Sequence, residues 1–374
     1  MFLSETHLPH VLTPDRYRSA DQHARELDAL FRSAWHWVAQ ASEFPRDGDF
    51  KTFELNGLPI ILWRSQDELH AFLNVCPHRH SLLSGQPCGT MKPLQCQYHG
   101  WQFDSSGQTR KIPDAPSFKP LKGMQLGLIK FRVERRGDLL FLCTLDDAPP
   151  LDESLGHCES FVSDWFPPES PAVLKTDDPV PANWKVVMEN AIEGYHVESV
   201  HPHTFGKIAP EERCEHEFGR NWSLYTERIS LSSRDRRLHR WLGIDVDDRY
   251  RIYHGYPNLL FGQMAFFRWV FTVIPQSPTE SRLITHMVCR PPHPGRPDQR
   301  VLIRLIRRWG QRFFRRVMDE DLGIMGSIQR GLNAPRHAAG GLISKREERL
   351  FHFQDYVSAA TASDPPTHSP QTRP

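Results

Sequence analysis

Two short stretches decide how this chain is read: Cys76-Pro77-His78-Arg79 and Cys96-Gln97-Tyr98-His99-Gly100-Trp101, which together spell Cys-x-His-x17-Cys-x-x-His. Each offers one sulfur and one imidazole from a tight loop, so the second loop mirrors the first. A two-iron, two-sulfide cluster takes four protein ligands. Two thiolates on one iron and two neutral imidazoles on the other raise its potential above that of an all-cysteine cluster. A structural zinc ion is the plainer alternative, since two Cys and two His also satisfy it. Zinc sites usually keep like ligands paired at short spacing, whereas each loop here mixes one Cys with one His. Cys88 lies between the loops, Gly85 and Gly89 permit tight bends, and Trp101 and Phe103 either cover the cluster or belong to the ordinary core.

Around these loops, from Phe50 to about Thr144, short apolar or alternating runs (Leu58–Trp63, Lys130–Val133, Leu139–Cys143) stand between Gly, Pro and Asp-rich turns, which predicts a small β domain. Before it, residues 21–37 place Leu27, Leu30, Phe31, Ala34 and Trp35 at helical spacing, the pattern of an amphipathic lead-in helix. Beyond it, Asp146 to Pro181 is rich in Pro, Asp and Ser and reads as a connection. After Asn183 the pattern turns mixed. A helical stretch runs to about Ser199, strands are expected at Trp222–Ile229, Tyr253–Phe261, Arg268–Pro275 and Arg282–Cys289, and a long helix at about Gln299 to Gly331. Strands followed by a long helix predict an α+β domain with the helix across an antiparallel sheet. Residues 361–374, rich in Ser, Thr and Pro, read as a disordered tail.

The stretch Asn183-Trp184-Lys185…Glu189-Asn190…Glu193-Gly194-Tyr195-His196…His201-Pro202 holds two histidines five apart. Such a pair does not share one face of a straight helix, so a common ion requires the helix to bend or end between them, and Pro202 is consistent with an ending. Two histidines and one carboxylate on one face of an iron leave positions open for dioxygen and substrate. Downstream, Asp319-Glu320-Asp321 supplies acids. Taken alone, this trio reads as a solvated helix face balanced against Arg312, Arg315 and Arg316. Phe205, Phe261, Phe266, Phe267 and Phe271 are candidates for a substrate pocket, although aromatics at strand spacing are more often core.

A length of 374 residues suggests one large or two smaller domains. Hydrophobic residues at 39% give enough apolar surface for real cores. A net charge of +1 excludes the basic footprint of a nucleic-acid binder. The first residues show no basic stretch followed by an apolar one and a small-residue cleavage site, so no secretion signal is expected, and Leu58–Trp63 is far short of the ~20 residues a membrane span needs. Seven cysteines, an odd number, fit a reducing compartment with thiols and metal ligands better than a disulfide framework. The expectation is a cytoplasmic protein.

The two loops resemble the Rieske domain of ring-hydroxylating and related oxygenases. They differ from respiratory Rieske proteins, which carry an extra cysteine in each loop. Asn-Trp-Lys…Glu-Asn…Tyr-His…His-Pro resembles the mononuclear-iron motif of the same family, and Asp321…Gln329-Arg330-Gly331 resembles its acidic segment. The resemblance covers roughly residues 25–355 and implies a residue-by-residue assignment. Cys76, His78, Cys96 and His99 would hold a [2Fe-2S] cluster. His196, His201 and Asp321, with Asp319 as the fallback, would hold a mononuclear Fe(II). Glu193 stands where most members carry Asp, bridging a cluster histidine and an iron histidine across a subunit boundary. A Glu there is reminiscent of oxygenases acting on quaternary ammonium compounds.

The architecture implied is an N-terminal all-β Rieske domain (38–150) after a lead-in (1–37), and a C-terminal helix-grip type domain (151–360) with an antiparallel sheet and a long helix. The expected function is a terminal oxygenase that takes electrons, ultimately from NAD(P)H, through a reductase or ferredoxin, and uses O2 to hydroxylate or oxidatively demethylate a small organic substrate. A homotrimer without nucleic-acid or membrane partners is expected. The competing reading is a Rieske electron carrier without oxygenase activity, which leaves His196, His201 and Asp321 as coincidence. A zinc-stabilised binding module is a third.

Overall fold

The computed structural model describes residues 2–119, 126–242, 248–289, 296–337 and 341–362. The chain divides into two compact units: a β unit of Arg32–Ser154 with Glu159–Pro168, and an α+β unit of Met1–Phe31, Leu155–Cys158 and Glu169 onward. The N-terminal stretch does not lead into the β unit as its pattern suggested. Strand β1 (Leu8–Pro9), helix α1 (Ala20–Glu26) and the π-turn Leu27–Phe31 belong to the α+β unit. The reason is burial: Leu12, Tyr17, Leu30 and Phe31 join that unit's core, with Phe31 edge-on to Trp184 at 4.9 Å. The helix expected over 21–37 is accordingly short, and His36 already opens a strand.

In the β unit, β2 (His36–Gln40), β3 (Asp49–Leu55), β4 (Leu58–Ser65), β5 (Glu68–Leu73), β6 (Cys88–Thr90), β10 (Lys130–Arg136) and β11 (Leu139–Cys143) form one antiparallel sheet in the order β2-β11-β10-β5-β4-β3-β6. A smaller sheet of β7 (Leu94–Gln95), β8 (Gln102–Phe103) and β9 (Thr109–Lys111) carries the second ligand loop. Phe50, Ile61, Trp63, Phe72, Leu83, Leu94, Trp101 and Phe103 pack with Cys76 and Cys96 into one core, so the loops rest on a rigid apolar base.

The segment read as a connection is largely ordered. It holds α2 (Leu151–Leu155), α3 (Glu159–Trp165) and a strand, β12 (Ala172–Val180). Pairing with a distant strand overrides the local Pro and Asp content, and Pro179 is accommodated because β12 lies at the sheet edge. After α4 (Trp184–Ile192) and α5 (Val197–Val200) come β13 (Cys214–Phe218), β14 (Trp222–Arg228), α6 (Ser233–Trp241), β15 (Arg249–Gly255), β16 (Leu259–Met264), β17 (Phe267–Ser277) and β18 (Glu280–Cys289). The antiparallel order is β12-β18-β17-β16-β15-β14-β13. The strand expected over Tyr253–Phe261 is two, because Tyr256-Pro257-Asn258 forms the turn between β15 and β16.

The long helix α7 (Pro297–Leu332) packs Ile303, Phe314 and Met325 against Leu260, Trp269, Leu283 and Met287 of this sheet. Gly310 permits the approach, since a Cβ there would lie 2.7 Å from the Phe267 ring. A short ladder of β1 with β19 (Leu342–Ile343) and helix α8 (Glu348–Ala360) completes the unit. The expected tail falls, from residue 363 on, outside the described residues. No helix among the described residues is long and apolar enough to cross a membrane.

Candidate metal centres and active site

In the β unit the two ligand loops share one hydrogen-bond pattern. Cys76 N donates to Ser81 O (2.9 Å) and His80 N to Cys76 O (3.0 Å); Cys96 N donates to Trp101 O (2.8 Å) and Gly100 N to Cys96 O (3.1 Å). Each loop closes with a left-handed residue four places after its cysteine, His80 at φ 57° and Gly100 at φ 72°. The result is a quasi-symmetric pair of turns. The cysteines point inward, buried, while His78 and His99 stand half-buried at the rim with ring centroids 4.6 Å apart. Trp101 stacks on His78 (5.0 Å, 4° between planes), whereas Phe103 is plain core. Burial, and beyond it the adjacent Cys96 thiol, push Cys76 up to about 11, so a thiolate here requires a cation to stabilise it.

These donors suit a two-iron cluster rather than a single ion. Among the described residues, the one group of three or more donors lying within 4.8 Å of one another is elsewhere, at His196, His201 and Asp321. The four loop donors do not converge as tetrahedral zinc demands. They fall into a sulfur pair and an imidazole pair, the division a [2Fe-2S] cluster with mixed ligation uses.

In the α+β unit the helix expected to reach Ser199 stops at Ile192. The break therefore lies before His196, not between the histidines. Glu193 is extended (φ −120°, ψ 165°), and its carboxylate accepts from the Tyr195 and His196 amides, turning the chain into α5 with His196 at the N-cap and His201 at the C-cap. This one-turn helix spaces the two imidazoles so that their Nε2 atoms approach Asp321 Oδ1 of α7, at 3.5 Å for His196 and 3.1 Å for His201.

The opposite ring nitrogens are held by carboxylates. Glu193 accepts from His196 Nδ1, and Glu320 accepts from His201 Nδ1 at 2.8 Å. Glu320 is itself fixed by Thr204 Oγ1 (2.9 Å) and Arg316 Nε (3.2 Å). Burial opposes protonation of both imidazoles, but the facing carboxylates outweigh it and hold them above the ordinary value. Asp319, the fallback, is exposed and paired with Arg315 at 2.6 Å. The acidic trio is thus split: Asp319 and Glu320 meet Arg315 and Arg316, and Asp321 turns inward. Asp321 Oδ1 is buried without a hydrogen-bond partner. An orphaned carboxylate oxygen facing two imidazoles whose far nitrogens are already engaged matches the donor set that a two-histidine, one-carboxylate iron site uses.

A cavity of about 350 Å³ opens beside these donors. Of the five expected phenylalanines, Phe205 and Phe271 line it, while Phe261, Phe266 and Phe267 do not. Sequence reasoning missed Glu320, hidden in the acidic run, and Glu227, Tyr225, Tyr250 and Trp269, whose alternation along strands was the signal that places them on one sheet face.

Two units of this composition, a cluster-binding β unit and an α+β unit with a two-histidine, one-carboxylate centre, define a Rieske-type oxygenase. Residues 34–125 match the Rieske [2Fe-2S] domain, and residues 153–363 match the ring hydroxylating alpha subunit (catalytic domain). The chain is 28% identical over 361 residues, 91% of its length and 92% of the relative's, to the carnitine monooxygenase oxygenase subunit of Acinetobacter pittii (strain PHEA-2). It is 31% identical over 212 residues, 53% of its length and 50% of the relative's, to the anthranilate 1,2-dioxygenase large subunit of Burkholderia cepacia. The structure of a quaternary ammonium Rieske monooxygenase (TM-score 0.74, 23% identity, 96% of each chain covered) shares the fold. So does naphthalene 1,2-dioxygenase with indole bound (TM-score 0.70, 20% identity, 95% of this chain and 93% of that one).

The chain belongs to the ring hydroxylating alpha subunit family. It is the terminal oxygenase component of a Rieske non-heme iron system, with a [2Fe-2S] cluster and a mononuclear iron as cofactors, and it works with a small substrate, O2 and a reductase or ferredoxin. The electron-carrier alternative finds no support.

Proposed function

We propose that Cys76, His78, Cys96 and His99 hold the cluster, that His196, His201 and Asp321 hold the catalytic iron, and that the protein hydroxylates or oxidatively demethylates a small aromatic or quaternary ammonium compound. The observation that carries this reading is the convergence of two imidazole Nε2 atoms on one buried carboxylate oxygen that has no hydrogen bond. When bound, the cluster supplies electrons singly and the iron activates dioxygen for attack on a C–H or C=C bond.

The side chains do the positioning. Glu193 and Glu320 hold the Nδ1 protons of His196 and His201, which fixes the tautomer and leaves each Nε2 lone pair aimed at the ion. Asp321 supplies the negative charge, and the apolar cavity wall excludes water from the reacting bond. The substrate range follows the relatives, whose names specify carnitine monooxygenase and anthranilate 1,2-dioxygenase. A cytoplasmic homotrimer is the assembly we assign, with Glu193 also accepting from His78 or His99 of the neighbouring subunit, as closed cyclic symmetry permits.

The test is metal and sulfide analysis. Purified protein is expected to carry three irons and two labile sulfides per chain. Asp321→Ala and His201→Ala should lose one iron and all turnover while keeping cluster absorbance, with Asp319→Ala as the unaffected control. Loss of the third iron in Asp319→Ala but not Asp321→Ala would overturn the ligand assignment.

A further inference from the structure

The cavity beside the iron donors is walled by one face of the large sheet, and a carboxylate stands among the mostly apolar and aromatic side chains of that face: Glu227 of β14. In register it lies opposite Tyr250 of β15. Two residues back on its own strand, Tyr225 donates its hydroxyl to Glu227 Oε2 at 3.2 Å. The rings of Tyr225 and Tyr250 stand nearly perpendicular (75°) with centroids 6.0 Å apart, and Trp269 follows 6.1 Å from Tyr250. Trp269 reaches this place because residue 262 is glycine; a Cβ there would fall 1.9 Å from the indole.

Burial is the main influence on Glu227 and pushes it up, opposed by the neutral Tyr225 hydroxyl and by Arg213, which acts through its field. The cationic residues on the same cavity are occupied or outside. Arg349 spends its guanidinium on Ser223 and the Ile192 and Ile252 carbonyls, Arg346 donates to Ala209 O, and Lys207 is exposed. The phenol of Tyr250 feels both Glu227 and Asp321, so the carboxylate and the iron ligands border the same ring.

We propose that Glu227, with Tyr225, Tyr250 and Trp269, forms a subsite for an organic ammonium group, holding the substrate by its positive charge while the bond to be oxidised faces His196, His201 and Asp321. This rests on the iron assignment only for where the reaction occurs. A hydrocarbon entering the cavity would strip water from Glu227 and return nothing. An alkylated ammonium pairs with the carboxylate and presents its polarised methyl groups to the aromatic faces, an attraction that strengthens where water is excluded. A second polar contact is ready for a hydroxyl or carboxylate on the same molecule: Thr285 Oγ1 lines the cavity, 4% exposed as a residue and without a hydrogen-bond partner.

The test uses the holoenzyme and two matched pairs, choline and benzyltrimethylammonium, each against its uncharged isostere with a quaternary carbon in place of nitrogen. Binding is read by calorimetry, with iron and labile sulfide counted on the same samples. The cation of each pair should bind at least about tenfold tighter than its isostere. Glu227→Gln should sharply reduce that preference while leaving isostere binding unchanged, and Trp269→Leu should weaken the cations. Equal affinities within each pair, or a preference undiminished in Glu227→Gln, would overturn the subsite. A missing third iron alongside a retained cation preference would instead overturn the iron assignment, so the two failures are distinguishable.

Discussion

Glu320 Oε2 lies 2.8 Å from His201 Nδ1, while the next residue in the same helix, Asp321, places Oδ1 3.1 Å from His201 Nε2. Consecutive residues of α7 thus address opposite nitrogens of one imidazole. Asp321 is the ion's ligand in our assignment and Glu320 the carboxylate that orients the ring. Glu320→Gln should weaken iron retention by about 10- to 100-fold against a chelator, the usual cost of losing such a partner, with cluster absorbance intact. Iron affinity equal to the unmodified protein would show that packing, with Phe205 edge-on to the His201 ring at 5.5 Å, suffices to hold His201.

Glu193 should act on electron transfer beyond its hold on His196. Glu193→Ala, kept loaded with excess Fe(II) because it also loses the Nδ1 partner of His196, is expected to carry both metals and accept electrons into the cluster, yet fail to pass them on. Single-turnover mixing of pre-reduced protein with substrate and O2 checks this. Cluster reoxidation at the unmodified rate with product formed would reduce Glu193 to the residue that turns the chain between α4 and α5.

The cluster loops rest on their own core, so their loss should stay local. Cys76→Ser or His99→Ala should abolish the cluster's visible absorbance and labile sulfide while the α+β unit keeps its cooperative unfolding transition. Retained absorbance in either variant would mean that the ligand set is wrong.

Beneath α4 lies a buried ion pair. Lys185 Nζ donates to both Glu26 oxygens (2.7 and 2.8 Å), Trp184 Nε1 donates to the same carboxylate (2.7 Å), and the two side chains are 0% and 1% exposed. Lys185→Met leaves an uncompensated buried charge and should cost about 3–5 kcal/mol in denaturant unfolding, whereas Lys185→Met with Glu26→Leu should recover much of it. A single-variant cost below about 1 kcal/mol would contradict a charged pair.

Acid should loosen the N-terminus. Glu348 accepts from the Leu3 and Ser4 amides and from His216 Nδ1 (2.9, 2.7 and 2.7 Å). Burial favours its neutral form, but these donors prevail and hold it at about 2 against an ordinary 4.5. A depressed carboxylate contributes stability above its unfolded pKa and loses it as pH falls toward the folded value, here between about 4.5 and 2, amounting to roughly 3 kcal/mol. His216, lowered by burial, adds to the same trend below about 6.5, because the unfolded chain takes up its proton first. Unfolding free energy should therefore fall with acid, and Glu348→Gln should be less stable at neutral pH with a shallower acid limb. An unchanged acid limb would exclude this anchor.

Much of the chemistry was legible in the chain because the residue types and loop spacings that point to its cofactors are local. Cys76, His78, Cys96 and His99 sit on two turns whose hydrogen bonds span five residues or fewer, and the long helix expected at about Gln299 to Gly331 is α7, Pro297–Leu332. The strands that escaped notice, such as β12, exist through partners about a hundred residues away, as Ala172 pairs with Val288. Local composition carries no record of such a partner. The acidic trio shows the same division. Asp319, Glu320 and Asp321 are equivalent as letters, and only the rotation of α7 against α5 and the sheet sends one to an arginine, one to a histidine's far nitrogen and one, without a hydrogen bond, to the centre between two imidazoles. Residue chemistry by itself determined which cofactors the chain is able to hold. Tertiary structure decided which carboxylate faces the two imidazoles and that Glu227 lines the same cavity, because those outcomes depend on which side of a helix or strand is buried.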